Sequence, residues 1–254
     1  MSLTIQMLGT GSAFSKKYYN NNALVQYNGY NLLLDCGYTA PKALHELNIK
    51  PYQIDSIFVT HLHADHIGGL EEFAFEMMYT YKKRPNLFIP TTLRHSLWEH
   101  ALRGGLENHA ENIDSLDHYF QVQEIPEGIR TEIAPGFTLE TFATKHVNGK
   151  PSYALLFNDH LFYSSDTCFD RKLLDTIFYH RNCTTIFHDC QLFNPQTVHA
   201  TLDDLLTLPT EMQKVIYLMH YDDNMEHYKD KTGHMTFALK YALYSFPLEE
   251  QSIY

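Results

Sequence analysis

The chain has 254 residues, 44% hydrophobic and 19% charged, a balance that fits a folded globular protein and excludes a disordered one. Its net charge of −11 argues against a protein that wraps nucleic acid, because such binding rests on Lys and Arg neutralising phosphates. No apolar run reaches the roughly 18 residues of a membrane helix, and the opening MSLTIQMLGTGSAF lacks the basic and long apolar segments of a signal peptide.

Residues 3–8 read as a strand ending in Gly9-Thr10-Gly11-Ser12. Strands at 23–27 and 30–34 flank Asn28-Gly29, the strongest short hairpin signal. Residues 40–47 are helical, 54–60 a buried strand and 70–81 an amphipathic helix. A strand at 87–89 and a helix at 91–102 precede a polar stretch, 103–118, read as loop or short helices. The second half repeats the alternation. Strands are expected at 119–125, 137–143, 153–157 and 161–163, with Asn158-Asp159 as a turn. A helix at 170–179, a strand at 184–187, a helix at 201–206 and a strand at 215–219 follow, and a helix at 237–244 closes the chain. With no repeat, linker or low-complexity tract, residues 1–254 read as one α/β domain: two mixed sheets in the middle, helices on both outer faces.

Sixteen histidines raise the prospect of metal or acid–base chemistry. Cys36, Cys168, Cys183 and Cys190 form no C-x-x-C pair and read as free thiols of a reducing compartment. The sharpest feature is His61-Leu62-His63-Ala64-Asp65-His66, directly after the strand IDSIFVT. Composition alone gives roughly 0.004 chance occurrences of H-x-H-x-D-H in such a chain. Imidazole and carboxylate suit zinc, and an i, i+2 pair at a strand end points both rings to one side. His146, Asp166 and His220 each stand where a predicted strand runs out, so each lies at a rim and completes the set.

These residues resemble the metallo-β-lactamase superfamily over residues 3 to about 221. The resemblance implies its αββα sandwich and two zinc ions per chain, with manganese or another divalent cation as the alternative. It assigns His61, His63 and His146 to the first metal and Asp65, His66 and His220 to the second. Asp166 bridges the two, and Asp35 in LLLDCG is structural. Asp65 counts as a catalytic residue as well as a ligand.

Within the superfamily, LGTGSA, NNNAL, His188-Asp189-Cys190 and His199-Ala200-Thr201 are similar to the ribonuclease Z branch. That similarity implies His199 as general acid and Asp189 as the carboxylate that orients it. The stretch from His146 to Asp166 leaves room for one hairpin and none for a tRNA-gripping arm, which turns the reading from RNA toward a small phosphodiester. THLHADHIGGLEEF, the His146–Asp166 hairpin and FHDCQL look like the anti-Pycsar proteins of phages and bacteria. The implied activity is hydrolysis of 3′,5′-cyclic nucleotides, cyclic CMP and UMP as well as cyclic AMP and GMP, to 5′-monophosphates. It would counter antiphage signalling in the bacterial cytoplasm, with no membrane and no stable nucleic-acid partner. A ribonuclease Z-like endonuclease, a thioesterase or lactonase of the same fold, and a metal-stabilised binding protein are the alternatives.

A homodimer is expected from the resemblance and from the broad apolar face of Leu70, Phe73, Ala74, Met77, Met78 and Tyr81. For base recognition the sequence offers Tyr18, Tyr19, Asn20–Asn22, Tyr221, Asp222, Asp223 and the polar stretch 227–234, with no signal that selects among them.

Overall fold

A computed structural model describes residues 2–247. Six strands open the chain: β1 (Ser2–Gly9), β2 (Asn22–Tyr27), β3 (Tyr30–Leu34), β4 (Ser56–Phe58), β5 (Asn86–Pro90) and β6 (Gln121–Ile125). Eight more follow: β7 (Thr131–Ala134), β8 (Phe137–Ala143), β9 (Tyr153–Phe157), β10 (Leu161–Tyr163), β11 (Thr185–Asp189), β12 (Ile216–Met219), β13 (Thr236–Phe237) and β14 (Leu243–Pro247). They form two seven-stranded sheets, ordered β14-β1-β2-β3-β4-β5-β6 and β13-β12-β11-β10-β9-β8-β7.

Each sheet is antiparallel on one side and parallel on the other: β3 through β6 run parallel, as do β10 through β13. The central strands are buried on both faces, which is why they read as near-continuous apolar runs. Within β3, Leu32 and Leu34 point between the sheets while Leu33 packs outward, and in β9 Leu155 and Phe157 point inward while Ala154 and Leu156 point outward.

The outer face of the first sheet is covered by α1 (Ala40–Glu46), α2 (Ala64–Ile67), α3 (Leu70–Phe75), α4 (Thr91–Leu97) and α5 (Arg103–Leu106). That of the second is covered by α6 (Arg171–Asp175), α7 (Leu202–Leu206) and α8 (Thr210–Gln213). Asn28-Gly29 makes the expected hairpin turn with φ of 49° and 84°, and Asn158-Asp159 makes another with 49° and 54°, the two left-handed residues that a type I′ turn needs. Among the described residues no helix is long and apolar enough to cross a membrane.

The sequence reading departs from the structure at several places, among them the short helices α2 and α8, which it did not expect. Strand β7 was not expected; it is short and half-exposed, so its apolar pattern is weak. The expected helix at 237–244 is absent. Phe237 ends β13 at the edge of the second sheet, the chain turns through Tyr241 at φ 69°, and β14 joins the edge of the first sheet beside β1. The period-two alternation of Tyr244 and Phe246 inward against Leu243 and Ser245 outward decides that segment, and two open sheet edges override its helical spacing. Of the apolar face of 70–81, Leu70, Phe73, Ala74 and Met77 are buried against the chain's own first sheet, and Met78 and Tyr81 pack partly against the same cluster. That face is consumed within the chain and lends no support to a dimer.

The crossing of the C-terminal segment from one sheet to the other is fastened by Tyr244, whose ring lies 5.4 Å from that of Phe187 and 4.9 Å from that of Tyr217, with its hydroxyl accepting from the Leu239 amide at 2.9 Å. Tyr244→Ala should lower the unfolding free energy by about 2 kcal/mol, as expected for a half-buried aromatic truncated to alanine. Urea denaturation would measure it, and an unchanged midpoint would refute the role given to this strand.

Candidate metal centre

The parallel strands end together. His61 follows β4 through Val59-Thr60, Asp166 follows β10, Asp189 closes β11 and His220 follows β12 directly. β8 runs antiparallel to β9, and β9 to β10, so His146 arrives at the same end. Polar side chains beyond the carboxyl ends of such strands have left the core without leaving the protein. Three of the turns there hold non-glycine residues with left-handed backbone, Asp35 (φ 59°), Ser165 (φ 50°) and His220 (φ 58°). Conformations that cost about 1 kcal/mol or more gather where the surrounding structure fixes them for a purpose.

All seven residues expected as ligands come together. His61, His63, His146 and Asp166 form one group able to hold a metal ion, and Asp65, His66, Asp166 and His220 form a second, with Asp166 in both. In the first, His63 Nδ1 lies 3.1 Å from both His61 Nε2 and His146 Nε2, and Asp166 Oδ2 lies 3.6 and 3.7 Å from the latter two. In the second, His66 Nε2 is 3.2 Å from Asp65 Oδ2 and 3.3 Å from Asp166 Oδ1, and His220 Nε2 is 3.5 Å from Asp65 Oδ2 and 3.4 Å from Asp166 Oδ2. Tetrahedral ligands about 2.0–2.1 Å from one zinc stand about 3.3 Å apart, so both groups have the size of a metal cage.

The chemistry of the unpartnered atoms agrees. Asp65 Oδ2, His66 Nε2, Asp166 Oδ1 and His220 Nε2 are buried with no hydrogen-bond partner. Leaving four such atoms unmatched in one place would be costly, and a cation is the partner that suits all of them.

Neighbouring groups fix the other ring nitrogens. His66 Nδ1 donates to Asp35 Oδ2 at 2.7 Å, and His146 Nδ1 donates to the Val198 carbonyl at 2.9 Å. A carboxylate or carbonyl can only accept, so each proton sits on Nδ1 and each Nε2 lone pair turns inward. Thr60 Oγ1 donates to Asp35 Oδ2 at 2.7 Å, accepts from Ser165 Oγ at 2.7 Å and lies 3.2 Å from His61 Nδ1. The Thr60 amide also donates to Asp35 Oδ1 at 2.8 Å. Asp35 therefore faces donors alone, which is the structural part expected of it.

Burial followed by the His66 charge holds His61 well below its ordinary pKa, and burial also lowers His63 and His146, so the first group carries neutral, ligand-ready imidazoles. Burial opposes protonation of His66 and His220 too, yet the surrounding carboxylates together, Asp166 first with Asp65 and Asp35 or Asp189, raise both well above the ordinary value.

His199 lies over this floor. Its ring stacks on His220 at 4.7 Å between centroids and lies 4.9 Å from His146. Its Nδ1 donates to Asp189 Oδ2 at 2.7 Å. Asp189 Oδ2 also accepts from the Thr167 amide at 2.9 Å. Burial alone would lower the His199 pKa, but the adjacent Asp189 carboxylate raises it. The His199 side chain is 20% exposed where His220 is 2%, so His199 is the one that can meet a substrate.

Several of the residues offered for base recognition are tied into the framework. Asn20 bonds Thr39, Asn21 donates to the Tyr163 hydroxyl, and Asn22 grips the Gly37 amide at 2.7 Å and the Asp65 carbonyl at 3.2 Å. A Cβ on Gly37 would stand 1.8 Å from the Asp65 carbonyl oxygen, so only glycine lets the LLLDCG turn lie against the metal motif. Asp223 binds Ser15 Oγ and the amides of Lys16 and Lys17, Asp222 binds Ser12, and Tyr18 packs edge-on against Tyr221. Sequence reasoning missed Thr60, the Thr167 amide and the Val198 carbonyl; only a threonine beside the motif could have been suspected, since backbone groups leave no signal in residue type.

Fold and site together define a metal-dependent hydrolase of the metallo-β-lactamase fold. The metallo-β-lactamase fold protein YhfI from Bacillus subtilis superposes with a TM-score of 0.73 at 15% identity, over 97% of this chain and 100% of that one. The chain belongs to the anti-Pycsar family: the family described as Anti-Pycsar protein Apyc1 matches residues 3–244. It is 54% identical over 246 residues to the Anti-Pycsar protein Apyc1 of Paenibacillus xerothermodurans, covering 97% of this chain and 98% of the relative. It is 47% identical over 249 residues to that of Bacillus phage BSP38, covering 93% and 95%.

Asp35→Ala would leave the Thr60 amide, the Thr60 hydroxyl and His66 Nδ1 without their acceptor in a fully buried place. The expected loss is about 3–5 kcal/mol of unfolding free energy. Denaturant titration would read it, and a loss under about 1 kcal/mol, the worth of an ordinary exposed contact, would contradict the role assigned to Asp35.

Proposed function

We propose that the chain hydrolyses 3′,5′-cyclic nucleotides to nucleoside 5′-monophosphates, and so removes the signal of Pycsar antiphage defence in the bacterial cytoplasm during infection. The observation that carries the reading is the pair of ligand groups sharing Asp166 beneath an Asp189-oriented His199, in a member of the anti-Pycsar family. In this reading residues 1–254 act as one domain. His61, His63 and His146 hold the first of two zinc ions, Asp65, His66 and His220 the second, and Asp166 bridges them; manganese or another divalent cation is the alternative. The active form is a homodimer, an assignment that rests on family resemblance alone.

When bound, such a metal pair supplies a water of lowered pKa and Lewis-acid polarisation of the phosphoryl oxygens. The remaining steps belong to side chains. Burial works against the His199 charge, but the Asp189 carboxylate raises its pKa and so favours the protonated ring that a general acid needs. Asp189 accepts the hydrogen bond from Nδ1–H, which leaves Nε2 as the nitrogen free to donate. As the water oxygen bonds phosphorus and the P–O3′ bond breaks, His199 passes the Nε2 proton to the departing 3′ oxygen. Asp65 fixes one wall of the second group and, as a buried carboxylate, holds His66 and His220 in place. The chain from His146 to Asp166 is a single hairpin, and net charge is −11, so nothing along that rim is shaped to hold an RNA.

Incubation with cyclic CMP followed by chromatography should yield 5′-CMP, and intact substrate with the metal-replete protein would refute the proposal. His199→Ala should keep its metal and lose about 10²–10⁴-fold in turnover, the usual share of one positioned acid. Asp166→Ala should lose metal and activity together. A His199→Ala variant as fast as wild type would make that histidine structural.

Elemental analysis of gently purified protein should find two zinc ions per chain, and light scattering at micromolar concentration should give twice the chain mass. A single metal would undo the ligand assignment, and a monomer mass the dimer.

A further inference from the structure

His199 stands on a loop with an exposed tip, whereas the other groups at the site follow strand ends or sit on the short helix α2. Residues 193–197 are all exposed, and Gln191 beneath them is buried to 3%. The Gln191 amide is fully used, and only on this loop. Its Nε2 donates to the carbonyls of Phe193 at 2.7 Å and Pro195 at 3.0 Å, and its Oε1 accepts from the Thr197 amide at 3.3 Å and from the Thr197 hydroxyl. Two donors and two acceptor sites are thereby all matched.

Main-chain bonds close the base of the loop independently. The Gln191 amide donates to Ala200 O at 2.7 Å, Leu202 N donates to Gln191 O at 3.0 Å, and Ala200 N donates to Thr167 O at 2.7 Å. The side chain therefore governs the tip and not the closure. Two working groups follow the tip directly: Val198, whose carbonyl fixes the Nδ1–H tautomer of His146, and His199, whose Nδ1 meets Asp189.

We propose that Gln191 is the positioning residue of this site: by holding residues 193–197 it sets both the Val198 carbonyl that orients His146 and the place of His199 over the reacting phosphate. The inference deepens the reading of His199 as general acid and rests on it. Gln191 touches no reacting atom, and its effect passes through two neighbours: one acts on metal affinity, the other on the chemical step.

The test uses Gln191→Met, which conserves volume and removes all four side-chain hydrogen bonds, and Thr197→Val, which removes one of them at an exposed position and leaves the core untouched. Titration with zinc alone against a chelator should show about tenfold weaker binding for Gln191→Met, the scale of losing an orienting partner of a ligand. At saturating zinc with cyclic CMP, kcat should fall about 10–100-fold while KM stays within about a factor of two, because the acid acts in the transition state. In a His199→Ala background the same substitution should change kcat by less than about a factor of two, the non-additivity of two residues acting as a unit. Thr197→Val should move both readouts in the same direction more weakly. Unaltered zinc affinity, or an equal loss of kcat with and without His199, overturns the proposal. A wild-type protein that leaves cyclic CMP intact is a failure of the functional reading instead, and the zinc titration still decides the role of Gln191.

Discussion

Asp166 is the constraint from which the site follows. Its carboxylate is 1% exposed, and nitrogens of His61, His66, His146 and His220 lie within 3.3–3.7 Å of it. Asp35, Asp65 and Asp189 are buried close by. Burying this many carboxylates demands compensating positive charge. The histidines can supply part of it as protons, which is what the raised pKa values of His66 and His220 express. A pair of cations would supply more, and would satisfy the orphaned atoms of Asp65, His66, Asp166 and His220 at the same time. Metal affinity and folding are then two descriptions of one balance, since the groups that bind the ion are those the fold cannot leave alone.

The sandwich makes the convergence possible. Both sheets change from antiparallel to parallel at the same relative point, so β3 and β4 of one and β10, β11 and β12 of the other all end at a single edge. Strand interiors are spent on the core between the sheets, and the first residues past each strand are free to be polar. The price of turning sharply there is visible in the left-handed backbone at Asp35, Ser165 and His220. Asn22, Gly37 and the Asp65 carbonyl form a second tie, pressing the metal motif onto the end of β3.

Much of this was legible in the sequence, and the reasons differ by element. The H-x-H-x-D-H run is local, so its chemistry shows without tertiary knowledge, and Asn28-Gly29 and Asn158-Asp159 declare their turns through the residues that tolerate positive φ. His146, Asp166 and His220 were found because each follows a strand strong enough to recognise. The segment 237–244 failed because its structure is decided by two distant sheet edges that need closing, which no local window contains. Tyr18 and Asp223 suggested a ligand-binding loop by composition and stitch the two ends of the chain together, while Asn20–Asn22 bond Thr39, Tyr163, Gly37 and Asp65. The 70–81 face looked too wide for one stripe, and the sheet and neighbouring helices cover it from more than one side.

The proposed acid and the proposed ligands differ in how the fold holds them. Six of the seven expected ligands are buried, and the far ring nitrogens of His66 and His146 are held by Asp35 and the Val198 carbonyl. His199 has a single anchor, Asp189, and otherwise depends on a loop whose tip lies in solvent. In the proposed reading, metal binding falls to strand ends and helix α2, which tolerate little displacement, and proton delivery falls to the loop. The fully matched amide of Gln191 limits how far that loop can wander, so the acid retains access to solvent without losing its register over the metal floor.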